Sequence, residues 1–314
     1  MTIRWLALAV LTAVVAIVPF TASATIIQFG INALLLASLA QAWNMLGGYT
    51  GYASFGNSTF YGLGIYGTAI AMTRFHQPFV LGLACGAAVG VTAAVVLGIP
   101  ILRLRGPYFA IGTLGLSAVM QAIVQNVAIA GRNIGLILSL FRGDAVFYEL
   151  ALALLVAATA TTAWIARSRF GMALLAIRES EEAANATGVE TTRFKVVALA
   201  LSALFTALAG GIHAYWISFV DPASAFDPTL NVKMIIMAVF GGPGTVAGPL
   251  IGAFVLSAIS EFLSTTVSAM ASVFYGLVIV AAVLFMPRGL VDAGRGVRRW
   301  GWRYFAQNLR RYRL

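Results

Sequence analysis

The chain is built from apolar runs long enough to cross a bilayer, with little between them. The runs are Trp5–Phe20, Thr25–Leu46, Gly56–Thr73, Phe79–Leu102, Tyr108–Ala128, Phe147–Ala166, Val196–Phe219, Lys233–Phe262 and Val267–Met286. About 20 apolar residues at a rise of about 1.5 Å each span a hydrocarbon core of about 30 Å. Lipid offers no partner to a backbone N–H or C=O, so such runs become helices. A β-barrel would show short alternating strands instead. Composition agrees, with 61% of the 314 residues hydrophobic and 10% charged, where a soluble domain carries about 25% charged. A soluble enzyme could not cover its surface from this stock. The one cysteine, Cys85, excludes a disulfide scaffold. The expected fold class is all-α: a polytopic helical membrane protein of about ten transmembrane or half-membrane helices. One membrane domain covers 1–286 and a basic-aromatic tail covers 287–314.

Arginine and lysine set the orientation, because cytoplasmic loops retain them. With the N-terminus in the cytoplasm and the runs threaded alternately, the bases fall unequally. Arg4, Arg103, Arg105, the five bases of 167–195 and the eight of the tail lie inside. Arg74, Arg132, Arg142 and Lys233 remain outside. Both termini are therefore expected in the cytoplasm. Arg4, the apolar stretch after it and Ala22-Ser23-Ala24 also resemble a cleavable leader; in a polytopic chain the segment reads as the first span. Nine full crossings would leave the tail on the wrong side. Lys233–Phe262 is too long for one span, and Gly241-Gly242-Pro243-Gly244 interrupts it. Proline removes a donor and glycine weakens a helix, so a break is expected there. Two half-length pieces would return the tail to the cytoplasm; one long kinked helix is the alternative.

No GxxxxGK[ST] loop, HExxH or Cys/His cluster is present, so no catalytic residue, cofactor or metal site is expected. Ionisable residues inside runs are few; the candidates, His213 and Glu261, lie near run ends. A carrier driven by an ion gradient needs more than that. Uncharged polar residues are commoner: Gln41 and Asn44; Ser54, Asn57, Ser58 and Thr59; Gln121, Gln125 and Asn126. Such groups either bind helices together or line a passage. Ser54, Asn57, Thr59, Gln121, Gly242 and Thr245 are the candidates for a translocation pathway, with broken helix ends supplying dipoles. Gly82, Gly86 and Gly90 recur every four residues and invite close approach of a backbone, in this chain or a partner.

The 167–195 segment is long for a connection. Ser180 is placed to cap a short helix with Glu181 and Glu182 in its first turn and Gly188 just past its end. Carrying both charge signs, it reads as a docking element rather than a plain loop. The tail interleaves seven arginines from Arg295 on with Trp300, Trp302, Tyr304, Phe305 and Tyr312. Next to a span, that composition suits anionic lipid rather than nucleic acid.

Several blocks resemble the inner-membrane permease, of the M-subunit type, of branched-chain amino acid ABC importers. They are GYTGYASFGNSTFYGLGIYG at 48–67, LRGPYFAIGTLG at 104–115, SRFGMALLAIRESEEAANATGV at 168–189, FGGPGTVAGPLIGAF at 240–254 and FMPRGL at 285–290. The resemblance implies a multi-pass protein of the bacterial inner membrane. It implies a second permease subunit, two cytoplasmic ATPase subunits and an extracytoplasmic substrate-binding protein. It assigns Arg178, Glu179, Glu182, Ala183 and Gly188 to the contact with the ATPase. The chain departs from the family pattern at Met172 and Leu175, which replace two arginines, at Tyr52 and Asn57, and at Ala130-Gly131-Arg132. Related permeases import urea, short amides and small acids.

Overall fold

A computed structural model describes residues 19, 23–141, 143–266, 276 and 289–292. The run Trp5–Phe20 (save Pro19), the run Val267–Met286 (save Gly276) and the tail beyond 292 lie outside the described residues. The expectations for the leader, both termini and the lipid-binding tail lie there too.

Eleven α-helices are described: α1 (Ala24–Trp43), α2 (Asn57–Thr73), α3 (Phe79–Ile101), α4 (Pro107–Asn126), α5 (Asp144–Ile165), α6 (Arg169–Glu179), α7 (Glu181–Ala186), α8 (Thr191–Ile217), α9 (Pro222–Ala225), α10 (Pro228–Gly241) and α11 (Gly248–Thr266). A π-helical turn, Asn44–Gly48, prolongs α1. Residues Leu136–Ile137 (β1) pair antiparallel with Phe219–Val220 (β2). Six described segments are long and apolar enough to cross a membrane: Ala24–Gly48, Phe79–Ile101, Pro107–Asn126, Asp144–Ile165, Thr191–Ile217 and Pro222–Gly241. The protein is a multi-pass helical membrane protein.

Local chemistry sets the helix boundaries. Gly106 takes φ +55° and Pro107 opens α4 with its φ already helical. Asp144 stands in the first turn of α5, where the helix dipole favours a negative charge.

Helices α2, α3 and α8 form one closely packed body, and small residues make it possible. A Cβ on Gly86 would lie 2.5 Å from Thr68 Oγ1 and 2.6 Å from the Gly64 carbonyl oxygen. One on Gly90 would lie 2.6 Å from Ala207 Cβ. The Gly82-Gly86-Gly90 ladder is thus spent inside the chain, on α2 and α8. Around this body, α1 packs against α5 and α8, and α10 and α11 pack against each other and against α1.

The Lys233–Phe262 run is two helices that turn back on one another, which excludes the single kinked helix. The half-length expectation fits the second piece, whose apolar stretch Gly248–Leu263 is shorter than the six candidate crossings, and not the first, since Pro222–Gly241 is one of those six. The turn, 242–247, lies at the end of the bundle that carries α6 and α7, beside Gly48 and Arg178. Gly289 sits at the same place: a Cβ there would meet the Gly242 backbone at 2.6 Å.

Candidate functional site

The α6–α7 elbow owes its shape to two serine caps. Ser168 Oγ accepts from the Gly171 N–H (3.1 Å) and Ser180 Oγ from the Ala183 N–H (3.2 Å). Glu181 and Glu182 occupy the first turn of α7, and Gly188 follows its C-cap at φ +87°. This is the pattern expected from the sequence, and the left-handed φ is one that glycine adopts without strain. Leu174 and Ile177 are buried and hold α6 to the bundle. Arg178, Glu179, Glu182, Ala183 and Gly188 are all exposed at this end. Arg178 nevertheless donates from its guanidinium to the Gly48 carbonyl (2.8 Å). Arg105 pairs with Glu182 at 3.1 Å, with side chains 62% and 83% exposed; such a pair contributes about 0–1 kcal/mol.

Behind the elbow lies a buried charge. The Lys195 side chain is 2% exposed, and its ammonium donates to Glu181 Oε1 (2.6 Å), the Leu102 carbonyl (3.1 Å) and Tyr52 Oη (3.2 Å). Tyr52 donates in turn to Glu181 Oε2, and Thr191 Oγ1 to Oε1 at 3.1 Å. The ammonium also stands 4.4 Å from the centre of the Tyr52 ring. A buried cation is tolerated only when its donors are satisfied, and here all three are. Burial alone would raise the Glu181 carboxyl, but hydrogen bonds from Lys195, Tyr52 and Thr191 and the Lys195 charge hold it below the usual carboxylate range. Burial, followed by the Glu181 hydrogen bond and charge, pushes the Tyr52 hydroxyl up. A groove of about 770 Å³ opens beside this cluster, lined by Arg103, Arg105, Glu190 and Arg193 among others.

The 242–247 turn is held by the end of α1. The Gly244 N–H donates to Asn44 Oδ1 (2.8 Å), Asn44 Nδ2 to the Thr245 carbonyl (3.0 Å) and Gln41 Nε2 to the Val246 carbonyl (3.1 Å). Thr245 closes the turn from within: it donates to the Gly242 carbonyl and accepts from the Gly248 N–H (3.0 Å). The structure therefore places Gly242 and Thr245 together here, apart from the other pathway candidates.

Those others meet at the start of α2. Asn57 Nδ2 donates to Ser202 Oγ (3.0 Å), and Thr59 Oγ1 and Ser58 Oγ each lie 3.0 Å from Ser117 Oγ. Asn231 accepts from the Ser58 N–H (2.7 Å) and donates to its hydroxyl (2.8 Å). Ser54 accepts at its hydroxyl from the Gly56 N–H (3.3 Å), and its carbonyl accepts from the Trp43 indole (2.8 Å). Five elements converge, all buried. Asn57 Oδ1 has no hydrogen-bond partner among the described residues. Gln121, one turn beyond Ser117 on α4, is half-buried and takes no part in these bonds. A separate cavity of about 440 Å³ lies at the other end of the bundle, between α1, α2, α8 and α10, with His213, Asp221 and Lys233 on its wall.

Sequence reasoning missed Lys195 and Glu181 as a pair, and Ser117, Ser202 and Asn231 as partners of α2. One signal was available for Lys195. Thr191, Lys195, Ala198, Ser202 and Thr206 recur at three- and four-residue spacing along one buried stripe of α8.

Residues 25–283 match the family model described as "Branched-chain amino acid transport system / permease component". The high-affinity branched-chain amino acid transport system permease protein LivM of Salmonella typhimurium is 27% identical over 88% of this chain and 72% of its own. The fructose import permease protein FrcC of Rhizobium meliloti is 27% identical over 60% of this chain and 56% of its own. The ribose import permease protein RbsC of Escherichia coli is 24% identical over 72% and 75%. No solved structure matches. With most of its length matched by the model and its helices arranged as a multi-pass bundle, the chain belongs to the ABC-type permease family of branched-chain amino acid transport systems.

Proposed function

We propose that this chain is the permease subunit of an ATP-driven importer of branched-chain or other small neutral amino acids in a bacterial inner membrane. Its partners are a second permease subunit, two cytoplasmic ATPases and an extracytoplasmic binding protein. The observation that carries the reading is the α6–α7 elbow: exposed, charged and capped at both helices, on the bundle end that also receives Gly289. We assign Arg178, Glu179, Glu182, Ala183 and Gly188 to the ATPase contact, with the adjoining groove as part of it. Motion of the elbow rocks the bundle between outward and inward openings.

The same reading assigns the passage to Ser54, Asn57 and Thr59 with Gln121 beyond, and its mouth at the elbow end of the bundle to Gly242 and Thr245. A zwitterion needs dipoles more than fixed charges, and the unpartnered Asn57 carbonyl oxygen is an acceptor for a passing ammonium. The broad coverage of the branched-chain relative favours an amino acid over a sugar. The sugar permeases at similar identity supply the second reading.

The test is uptake into liposomes holding the full complex. Labelled leucine should enter only with ATP, and ribose, fructose, urea and short amides should not compete. Glu179→Lys with Glu182→Lys should abolish uptake while the permeases still assemble. Uptake by this chain alone, driven by a proton or sodium gradient, would overturn the proposal.

A further inference from the structure

We infer that Lys195, Glu181 and Tyr52 are positioning residues: they form the joint through which displacement of α6–α7 reaches the α2–α3–α8 body. The inference rests on the coupling role proposed above for the elbow.

Four pieces of chain meet at one ammonium. Glu181 opens α7, Lys195 lies in the second turn of α8, Leu102 follows the last residue of α3, and Tyr52 stands in the segment that leads into α2. The three helices so joined are those whose glycines bring their backbones together, so the body moves as a unit. Leu174, Ile177 and Phe170, which stacks on Phe194, hold α6 by apolar contact; the remaining polar ties of the elbow are weaker. The Arg105–Glu182 pair is exposed on both sides. Arg178 makes a single bond to the Gly48 carbonyl and acts on α1 rather than on the body. Gly188, with open space around it, lets the turn between α7 and α8 flex. Thr191 spans that turn, its hydroxyl within hydrogen-bonding reach of both Glu181 (3.1 Å) and Asn185 (3.2 Å).

Opening the joint would strand the buried ammonium and leave a partly buried carboxylate unpaired, whereas the exposed ties exchange freely with solvent. When the elbow is pushed, slack is therefore taken up at Gly188 and Arg105, and the load passes through Lys195. The Lys195 and Glu181 side chains line the groove beside the elbow but are only 2% and 14% exposed, against 62% and 83% for Arg105 and Glu182.

The experiment uses the full importer in liposomes and reads ATP hydrolysed per amino acid imported. Removing both charges, Lys195→Met with Glu181→Gln, avoids stranding either one. That variant should assemble and raise the ratio about tenfold, as expected when coupling between sites is lost. Tyr52→Phe keeps the ring over the ammonium and loses the hydroxyl alone; it should raise the ratio about twofold. Hydrolysis and uptake falling in parallel, with the ratio unchanged, would mark a merely structural role and overturn the inference. If the double variant fails to assemble, Tyr52→Phe decides, and an unchanged ratio there overturns the joint. Failure of the coupling reading itself would show in the unaltered protein as uptake indifferent to ATP, and the joint would fall with it.

Discussion

The middle of the bundle and its basic end are held together by opposite means. Between α2, α3 and α8 the Asn57–Ser202 bond is the one side-chain hydrogen bond among the described residues. Glycines remove the side chains, backbones come into contact, and dispersion holds the helices at close range. At the other site, around Lys195 and the 242–247 turn, long polar side chains reach across gaps to carbonyls and a carboxylate. Close backbone contact resists sliding because any shift produces overlap. Hydrogen bonds on long arms fix which groups stay joined and still let the elements they join pivot. A transporter needs both: a body that does not deform, and attachments that turn.

The contrast can be broken most severely at Lys195. Lys195→Met leaves the partly buried Glu181 carboxylate without its cation, a loss of about 3 kcal/mol, the low end for a buried pair. Thermal unfolding in detergent should show a large drop, and adding Glu181→Met should recover most of it. A recovery that fails would mean the lysine stem, not the charge pair, holds the site.

Next comes the packed body. A Cβ at Gly64 would run into the Ala207 backbone. Gly64→Ala should cost about 1–3 kcal/mol through overpacking. Gly115, on α4, has nothing within 4 Å. Gly115→Ala should stabilise by up to about 1 kcal/mol through helix propensity. Equal effects at the two glycines, read by the same unfolding assay, would dissolve the distinction between body and periphery. Asn44→Ala frees a donor and an acceptor of the hairpin turn, at a loss of about 1–3 kcal/mol. Faster labelling of a cysteine placed at Ala247 is the expected readout, and unaltered labelling would show that Gln41 holds the turn alone.

The smallest effect concerns pH. The Glu181 carboxyl titrates below its ordinary range in the folded state. Its stabilisation is therefore complete above the unfolded-state value, about 4.3, and is lost as the pH falls through the lower folded value. The contribution of this group to the unfolding temperature should therefore not change between about pH 7 and 5. A Glu181-dependent decline in that interval, absent from Glu181→Gln, would contradict the network.

Much of the architecture was legible because membrane helices are written as runs. Thr25–Leu46, Gly56–Thr73, Phe79–Leu102 and Val196–Phe219 each appear as helices within a few residues. The glycine-proline break at 241–244 and the Ser180 cap were local signals with local causes. The joint and the α2 cluster were not legible in the same way. Ser58 meets Asn231 across 173 positions, and Tyr52 meets Lys195 across 143. Such pairs leave no period, and a lysine at the mouth of an apolar run reads simply as a boundary charge. The depth of the hairpin turn was also hidden, since Gly-Gly-Pro-Gly marks a break without saying where along the membrane normal it falls.

The π turn at Asn44–Gly48 holds more residues per revolution than the helix it prolongs. It behaves as an insertion absorbed without a loop. Deleting one residue from it would hardly shorten α1, but would swing everything upstream through about 100°. Gln41 would then face away from the carbonyl it now serves. The wide revolution thus works as a phase-setter, deciding which flank of the second apolar run meets the hairpin.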